Sequence, residues 1–324
     1  LAGAKPALES EGAESSAREE SVNDIAAGAW AASLTPLNDD FSIDSGAYLA
    51  HVRWLLDHGS AGVAALGTTG EANSFSVNER LGLIKTLGGA GLAANRIIVG
   101  TGCCAAPDTI ALTRAVLDAG FTNVMMLPPF YYKGVSDEGI FRAYAYVIEA
   151  VNDARLRVLI YDFPLQTGLK LSVDLLARLE AAFRGVVVGV KNSSGEWATM
   201  EATAKQLPGF QVFAGTEQFL LPTLRAGGPG CISATANVTC ATLADLVAHW
   251  REPSADAKQE AITKTRFMLQ QFPAIPALKE IMAHASGRPQ WRRLRPPLVN
   301  LSDADAARLI EQAHAAGLID AVRR

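Results

Sequence analysis

Short β-rich runs alternate with longer segments of helical period along most of the chain, and this alternation restricts the possible folds more than any other feature. Eight such runs are read at 29–35, 62–67, 96–101, 123–127, 157–161, 186–191, 211–214 and 231–234. Amphipathic segments lie between them at 44–58, 77–87, 108–119, 137–151, 173–183, 197–206, 219–226 and 243–250. Ser76, Ser136 and Ser172 stand where N-caps are expected, and Gly59, Gly120 and Gly227 where a helix would close on a left-handed residue. Eight βα units in about 230 residues predict an α/β fold of the (β/α)8 TIM-barrel type. A doubly wound open sheet is the second reading, weakened because no G-x-G-x-x-G follows the first strand. Beyond Glu252 the β signal stops, and 253–271, 276–286 and 303–316 read as three helices. The expected organisation is therefore an acidic tail at 1–24, a barrel at 25–252 and a C-terminal three-helix extension at 253–324.

Charge and cysteine content exclude several functional classes. Residues 1–24 carry two cations against six anions, and the remaining 300 residues hold 27 of each sign. A neutral body without clustered Lys and Arg has no footprint for nucleic acid. The acidic tail lacks an apolar core, so it reads neither as a secretory signal nor as a transit peptide. No apolar run approaches the ~18 residues of a membrane helix, so no membrane partner is expected. Cys103, Cys104, Cys231 and Cys240 have no C-x-x-C or Cys/His ligand spacing, which predicts a reducing, cytoplasmic setting.

In a barrel of this type the chemistry lies at the carboxyl ends of the strands. Those ends read Thr35, Gly67-Thr68-Thr69-Gly70-Glu71, Thr101, Phe130-Tyr131-Tyr132, Tyr161, Lys191, Gly215-Thr216-Glu217 and Ser233. Lys191 ends the apolar run 186–190. Burial there disfavours an ammonium and favours a neutral amine able to attack a carbonyl. The alternative is a strand-end lysine that reaches solvent or pairs with Glu217. Tyr161 ends the adjacent strand, where a phenol can relay protons or simply fill the core. The G-T-T-G-E turn offers backbone N–H groups and two hydroxyls suited to a carboxylate, although an ordinary βα turn looks similar.

Taken together, G-T-T-G-E at 67–71, P-P-F-Y-Y at 128–132, Y-D-F-P-L-Q-T-G at 161–168, G-V-K-N-S-S-G at 189–195 and G-C-I-S-A-T-A-N-V at 230–238 resemble the dihydrodipicolinate synthase / N-acetylneuraminate lyase family. The likeness runs from about Gly28 to the C-terminus. It implies a Schiff-base-forming pyruvate aldolase, a carbon–carbon or carbon–oxygen lyase, in which Lys191 forms an imine with pyruvate and Tyr161 shuttles protons. Thr68 and Tyr131 would complete the relay. That second tyrosine commonly comes from a neighbouring subunit, with Tyr132 as a substitute, and the family favours dimers or tetramers. Gly67, Thr69, Gln166, Gly215 and the backbone at Ile232 would be the substrate-binding positions. No cofactor and no metal are implied, and the partners are pyruvate and an aldehyde or 2-oxo acid.

Gln166 departs from the family pattern, because dihydrodipicolinate synthases usually carry arginine there to hold the carboxylate of aspartate semialdehyde. An amide makes no charged bidentate contact, so the second substrate is expected to lack a carboxylate at that place. Lys170 is a candidate replacement for the arginine. Asp162, where the family often has asparagine, and Thr216-Glu217, where the synthases often have an acidic pair, are lesser departures. The alternatives are 4-hydroxy-tetrahydrodipicolinate synthase of lysine biosynthesis and a non-catalytic 2-oxo acid sensor. A zinc aldolase would need clustered ligands, and His51, His58, His249, His284 and His314 are spread over helices. The run Gly227-Gly228-Pro229-Gly230 precedes the eighth strand and reads as a turn on the opposite face from a phosphate loop.

Overall fold

The computed structural model describes residues 25–323, and the tail expected at 1–24 lies outside the described residues. All eight expected strands are present: β1 (Gly28–Ala32), β2 (Gly62–Ala65), β3 (Ile97–Gly100), β4 (Asn123–Met126), β5 (Arg157–Asp162), β6 (Val187–Asn192), β7 (Gln211–Ala214) and β8 (Gly230–Ser233). They pair in parallel and in chain order, and β1 closes on β8 through Gly28–Gly230 to Ala31–Ser233. The α-helices are α1 (Ser45–Asp57), α2 (Val77–Gly88), α3 (Ala106–Asp118), α4 (Asp137–Val151), α5 (Pro164–Thr167), α6 (Val173–Ala182), α7 (Trp197–Gln206), α8 (Leu220–Arg225), α9 (Ala236–His249), α10 (Ala255–Leu269), α11 (Ala274–Ser286), α12 (Asp303–Ala315) and α13 (Leu318–Arg323).

Helix starts follow local chemistry. Ser136 and Ser172 cap α4 and α6 with their hydroxyls, and Ser76 forms a reciprocal capping box with Glu79 at α2. Two differences from the periodicity reading have simple causes. Helix α9 begins at Ala236 rather than near 243, because Asn237, Val238 and Cys240 are buried along with the later apolar positions and blur the amphipathic contrast. The chain restarts as α13 after Gly317, whose φ of +71° ends α12, so the extension holds a fourth helix beyond the three expected. No helix among the described residues is long and apolar enough to cross a membrane.

The strands are buried on both faces, as a parallel barrel requires. Trp30, Ala64, Ile98, Met125, Leu159, Phe213 and Ile232 fill the interior, while Ala31, Val63, Val99, Val124, Ile160 and Val190 pack outward against the helices. One irregularity decides where the chemistry points. Strict alternation would place Lys191 on the same face as Val187, which packs outward. Between Val158–Val187 and Leu159–Gly189 the register of β5 and β6 shifts by one residue, leaving Val188 as an extra residue in β6. That bulge reverses the parity, so Lys191 is paired with inward-facing Tyr161. Gly189 makes the bulge sterically possible, because a Cβ there would meet the Gln211 carbonyl oxygen at 2.3 Å. Gly189→Ala is therefore expected to destabilise the barrel by about 1–3 kcal/mol, as overpacking does, and to lower turnover as well. Denaturant titration beside a rate assay checks this, and an unchanged midpoint with full activity would contradict it.

Candidate active site

The carboxyl ends of β2, β5, β6, β7 and β8 surround a cavity of about 410 Å³ whose lining includes Thr68, Thr69, Tyr161, Gln166, Lys191, Gly215 and Ala234. Lys191 is 4% exposed, and its Nζ lies 4.2 Å from the centroid of the Tyr161 ring. Phe163 stacks on the other end of this group, 5.6 Å from Tyr161 between centroids. No ion pair reaches Lys191 among the described residues, and Glu217 does not serve as its partner. Both carboxylate oxygens of Glu217 instead accept hydroxyls, from Ser233 and Thr235, and Arg266 lies 3.5 Å away. A lysine that is buried, unpaired and at a cavity wall has the access a nucleophile needs.

The G-T-T-G-E turn is pinned in place. Thr35 Oγ1 donates to the Gly70 carbonyl over 2.8 Å, and a Cβ at Gly70 would meet the Ser33 carbonyl oxygen at 2.9 Å. Glu71, in the left-handed region at φ +58°, turns away from the cavity and meets the Lys279 ammonium of α11. Gly67 lines a small void beside Thr68 and Tyr161 rather than the main cavity. Ile232 is fully buried inside the barrel, and Ala234, two residues on, is the β8-end residue that reaches the cavity. Gly215 lies so close to Ser193 that a Cβ would approach its Oγ at 2.0 Å.

Tyr131 and Tyr132 are not brought to the cavity of their own chain: each is 74% exposed, and their rings pack edge to face at 5.4 Å. Gln166 stands exposed at the cavity rim. Lys170 is paired with Glu196 at 2.9 Å and does not line the cavity, so among the described lining residues the β5 side carries no cation.

The residues absent from the expected set come mainly from the extension: Arg266 of α10, Gln270 just past its end and the segment Pro273–Pro276 line the same cavity. Gln259, Arg266 and Gln270 follow one another at intervals of seven and four, a polar stripe on one helical face that was the available signal. Ser193 and Ser194 also line the cavity, from within the G-V-K-N-S-S-G segment.

His51 is buried against Trp291 and bonded through Nε2 to Asn237 Oδ1 at 2.8 Å, and burial pushes its pKa down to about 4. No group of three or more His, Cys, Asp or Glu side chains among the described residues is arranged to hold a metal ion.

Asp162 is almost fully buried beside Tyr161. Its Oδ2 faces Asn192 Nδ2 at 3.4 Å and its Oδ1 has no partner. Burial pushes its carboxyl pKa up to about 6, against the Leu171 N–H and the charge of Lys170, which act the other way. The folded protein thus holds a proton between about pH 4 and pH 6 that the unfolded chain has released, and stability contributed by this group falls as pH rises through that window. Asp162→Asn should flatten this slope in thermal melts taken from pH 4.5 to 8, and an unchanged slope would refute the assignment.

Comparison with known proteins agrees with this geometry. The sequence model of the dihydrodipicolinate synthetase family matches residues 26–316. An uncharacterized DapA-like lyase of Chloroflexus aurantiacus is 33% identical over 289 residues, covering 87% of this chain and 94% of the relative. A 4-hydroxy-tetrahydrodipicolinate synthase of Thiobacillus denitrificans is 33% identical over 214 residues, covering 66% of this chain and 70% of the relative. Among solved structures, dihydrodipicolinate synthase from Agrobacterium tumefaciens superposes with a TM-score of 0.79 at 34% identity, over 92% of this chain and 99% of that one. YagE, an E. coli prophage protein of the dihydrodipicolinic acid synthase family solved in complex with pyruvate, gives 0.82 at 25% identity, over 90% and 99%. With its closed barrel, its Lys191–Tyr161 pair and this extent of likeness, the chain belongs to the dihydrodipicolinate synthetase family.

Proposed function

We propose that this protein is a pyruvate-dependent class I aldolase that makes or breaks a carbon–carbon bond between pyruvate and an aldehyde. The observation that carries the reading is the buried, unpaired Lys191 amine 4.2 Å from the Tyr161 ring at the wall of the cavity. The Lys191 amine adds to C2 of pyruvate, the ketone oxygen takes up a proton, and loss of water from the carbinolamine leaves an imine. That imine acts as the electron sink: removal of a C3 proton gives an enamine whose C3 attacks the aldehyde carbon. Cleavage runs the same steps in reverse, and hydrolysis then returns pyruvate and the free amine.

Each neighbouring group has a task in this scheme. The Tyr161 hydroxyl relays protons to and from the carbinolamine and the nascent alkoxide, with Thr68 next in the relay. The turn at Thr68-Thr69 receives the pyruvate carboxylate on backbone N–H groups. Tyr131 joins the relay of a neighbouring copy, a reading supported by its exposure and its absence from the cavity lining of its own chain, so the active form is a homo-oligomer. The chemistry needs neither metal nor cofactor, since the imine supplies the electron sink.

The aldolase reading is favoured over the lysine-pathway synthase by the β5 side of the cavity. A carboxylate on the acceptor would find only the neutral Gln166 amide there, with Lys170 engaged by Glu196. Retention of both Lys191 and Tyr161 speaks against a non-catalytic sensor, which has no use for a proton relay.

Two measurements test the proposal. Borohydride reduction in the presence of pyruvate should add one reduced pyruvate to Lys191 by peptide mass mapping. Absence of an adduct, or an adduct on another lysine, contradicts the assignment. Tyr161→Phe keeps the ring and removes the hydroxyl, so kcat should fall by about 10²-fold or more with little change in KM. A raised KM at normal kcat would make Tyr161 a binding group instead.

A further inference from the structure

We propose that Lys133 is a positioning residue for the proton relay: its ammonium ties the exposed loop after β4 to the end of α5, so that Tyr131 and Tyr132 are held out in one orientation toward a neighbouring copy. This inference rests on the reading of Tyr131 as part of that copy's relay and names the group that sets its direction.

Residues 127–136 join β4 to α4 without regular structure of their own. Burial holds the first half of this loop: Pro128 is buried, and Leu127, Pro129 and Phe130 are half-buried. From Tyr131 to Ser136 every residue is exposed. The two tyrosine rings pack on each other, which fixes neither of them against the barrel. Ordering such a stretch opposes its backbone entropy, so a specific contact has to hold it.

Lys133 supplies that contact. Its Nζ donates to the Phe130 carbonyl over 2.5 Å and to the Thr167 carbonyl over 2.7 Å. Among the described residues, the hydrogen bonds made by 131–135 come from this side chain alone. The first bond closes a turn whose two central positions are Tyr131 and Tyr132. The second crosses to α5, 34 residues further along the chain. Both use an ionised donor, which makes them stronger than bonds between neutral groups.

The receiving end is itself fixed. Thr167 is 1% exposed, and its Oγ1 donates to the Phe163 carbonyl over 3.0 Å and accepts from the Leu169 N–H over 3.1 Å. Gly168 follows at φ +67°, and a Cβ there would meet Lys133 Cδ at 3.1 Å, so the lysine stem packs over bare glycine backbone. An anchor whose own side chain is locked by internal hydrogen bonds passes a defined position on to the loop.

The test uses pyruvate alone. Exchange of its C3 hydrogens for deuterium in D2O, followed by proton NMR, needs the imine and the enamine but no acceptor aldehyde. Tyr131→Phe combined with Tyr132→Phe should slow this exchange by ~10²-fold or more. Lys133→Met keeps the stem and removes the donors, so kcat for exchange should fall by ~10- to 100-fold while KM for pyruvate stays within about 3-fold. Lys133→Arg should recover part of the loss, and the melting temperature should stay within ~2 °C, as for other exposed substitutions. Added to the double tyrosine variant, Lys133→Met should cost less than ~2-fold more, because it acts through the phenols. Wild-type exchange in Lys133→Met, or a loss of equal size with and without the phenols, overturns the positioning role, as does dissociation of the oligomer in sedimentation runs. Should Lys133→Met fail to fold, Lys133→Gln carries the same comparison. The two levels separate cleanly: if removing the phenols slows exchange and Lys133→Met does not, only the role of Lys133 falls. If removing the phenols leaves the wild-type rate, the relay reading and the inference built on it fall together.

Discussion

Hydrogen bonding of β1 to β8 leaves no strand edge, and because all eight strands are parallel it also brings every carboxyl end to one rim. Everything chemical in this molecule depends on that geometry. Thr68, Tyr161, Lys191, Gly215 and Ala234 are separated by up to 166 residues of chain, yet line one cavity because each follows or ends a different strand. The interior beneath them is filled by Trp30, Phe213, Ile98 and Leu159, so the rim is a floored cleft and not the mouth of a pore.

Within that frame the orientation of Lys191 depends on a single extra residue. Parallel ladders rarely carry bulges, and the one at Val188 converts a strand whose parity would send Lys191 into the helix layer into one that sends it inward. The glycine beside it is required by the close approach of β7. The register shift therefore belongs to the chemistry as much as to the fold, because it aligns the amine with the phenol of the next strand.

The C-terminal helices form part of the site wall. Glu71, at the end of the G-T-T-G-E turn, and Lys279 of α11 are both fully buried in their side chains and paired with each other, while Lys279 also donates to the Arg293 carbonyl over 2.7 Å and Glu71 accepts from the Arg295 N–H. Burial pushes the Lys279 ammonium pKa down and the Glu71 charge opposes that shift. Such a pair adds little net stability relative to apolar packing, but removing one partner strands a charge at a cost of about 3–5 kcal/mol. The pair thus ties the extension to the G-T-T-G-E turn on one side of the cavity that α10 lines on the other.

What the sequence determined by itself was the order and number of the strands, the main helices between them and the identity of the strand-end residues. Both are local: alternation of apolar runs, serine caps and glycine stops are written within a few positions of where they act, and Lys191 and Tyr161 each terminate a recognisable run. The β6 bulge was not legible, because Val186–Val190 reads as an uninterrupted apolar run whichever face each side chain takes. The loop after β4 carries no periodicity that fixes a direction, so the exposure of Tyr131 and Tyr132 was suggested only by the family resemblance and not by the local pattern. Arg266 was missed because its helix lies some 75 residues after Lys191, and only the docking of α10 through Gln259 brings the two to one cavity. Contacts between elements distant in the chain depend on how whole surfaces pack, and a one-dimensional pattern records the faces without recording which of them meet.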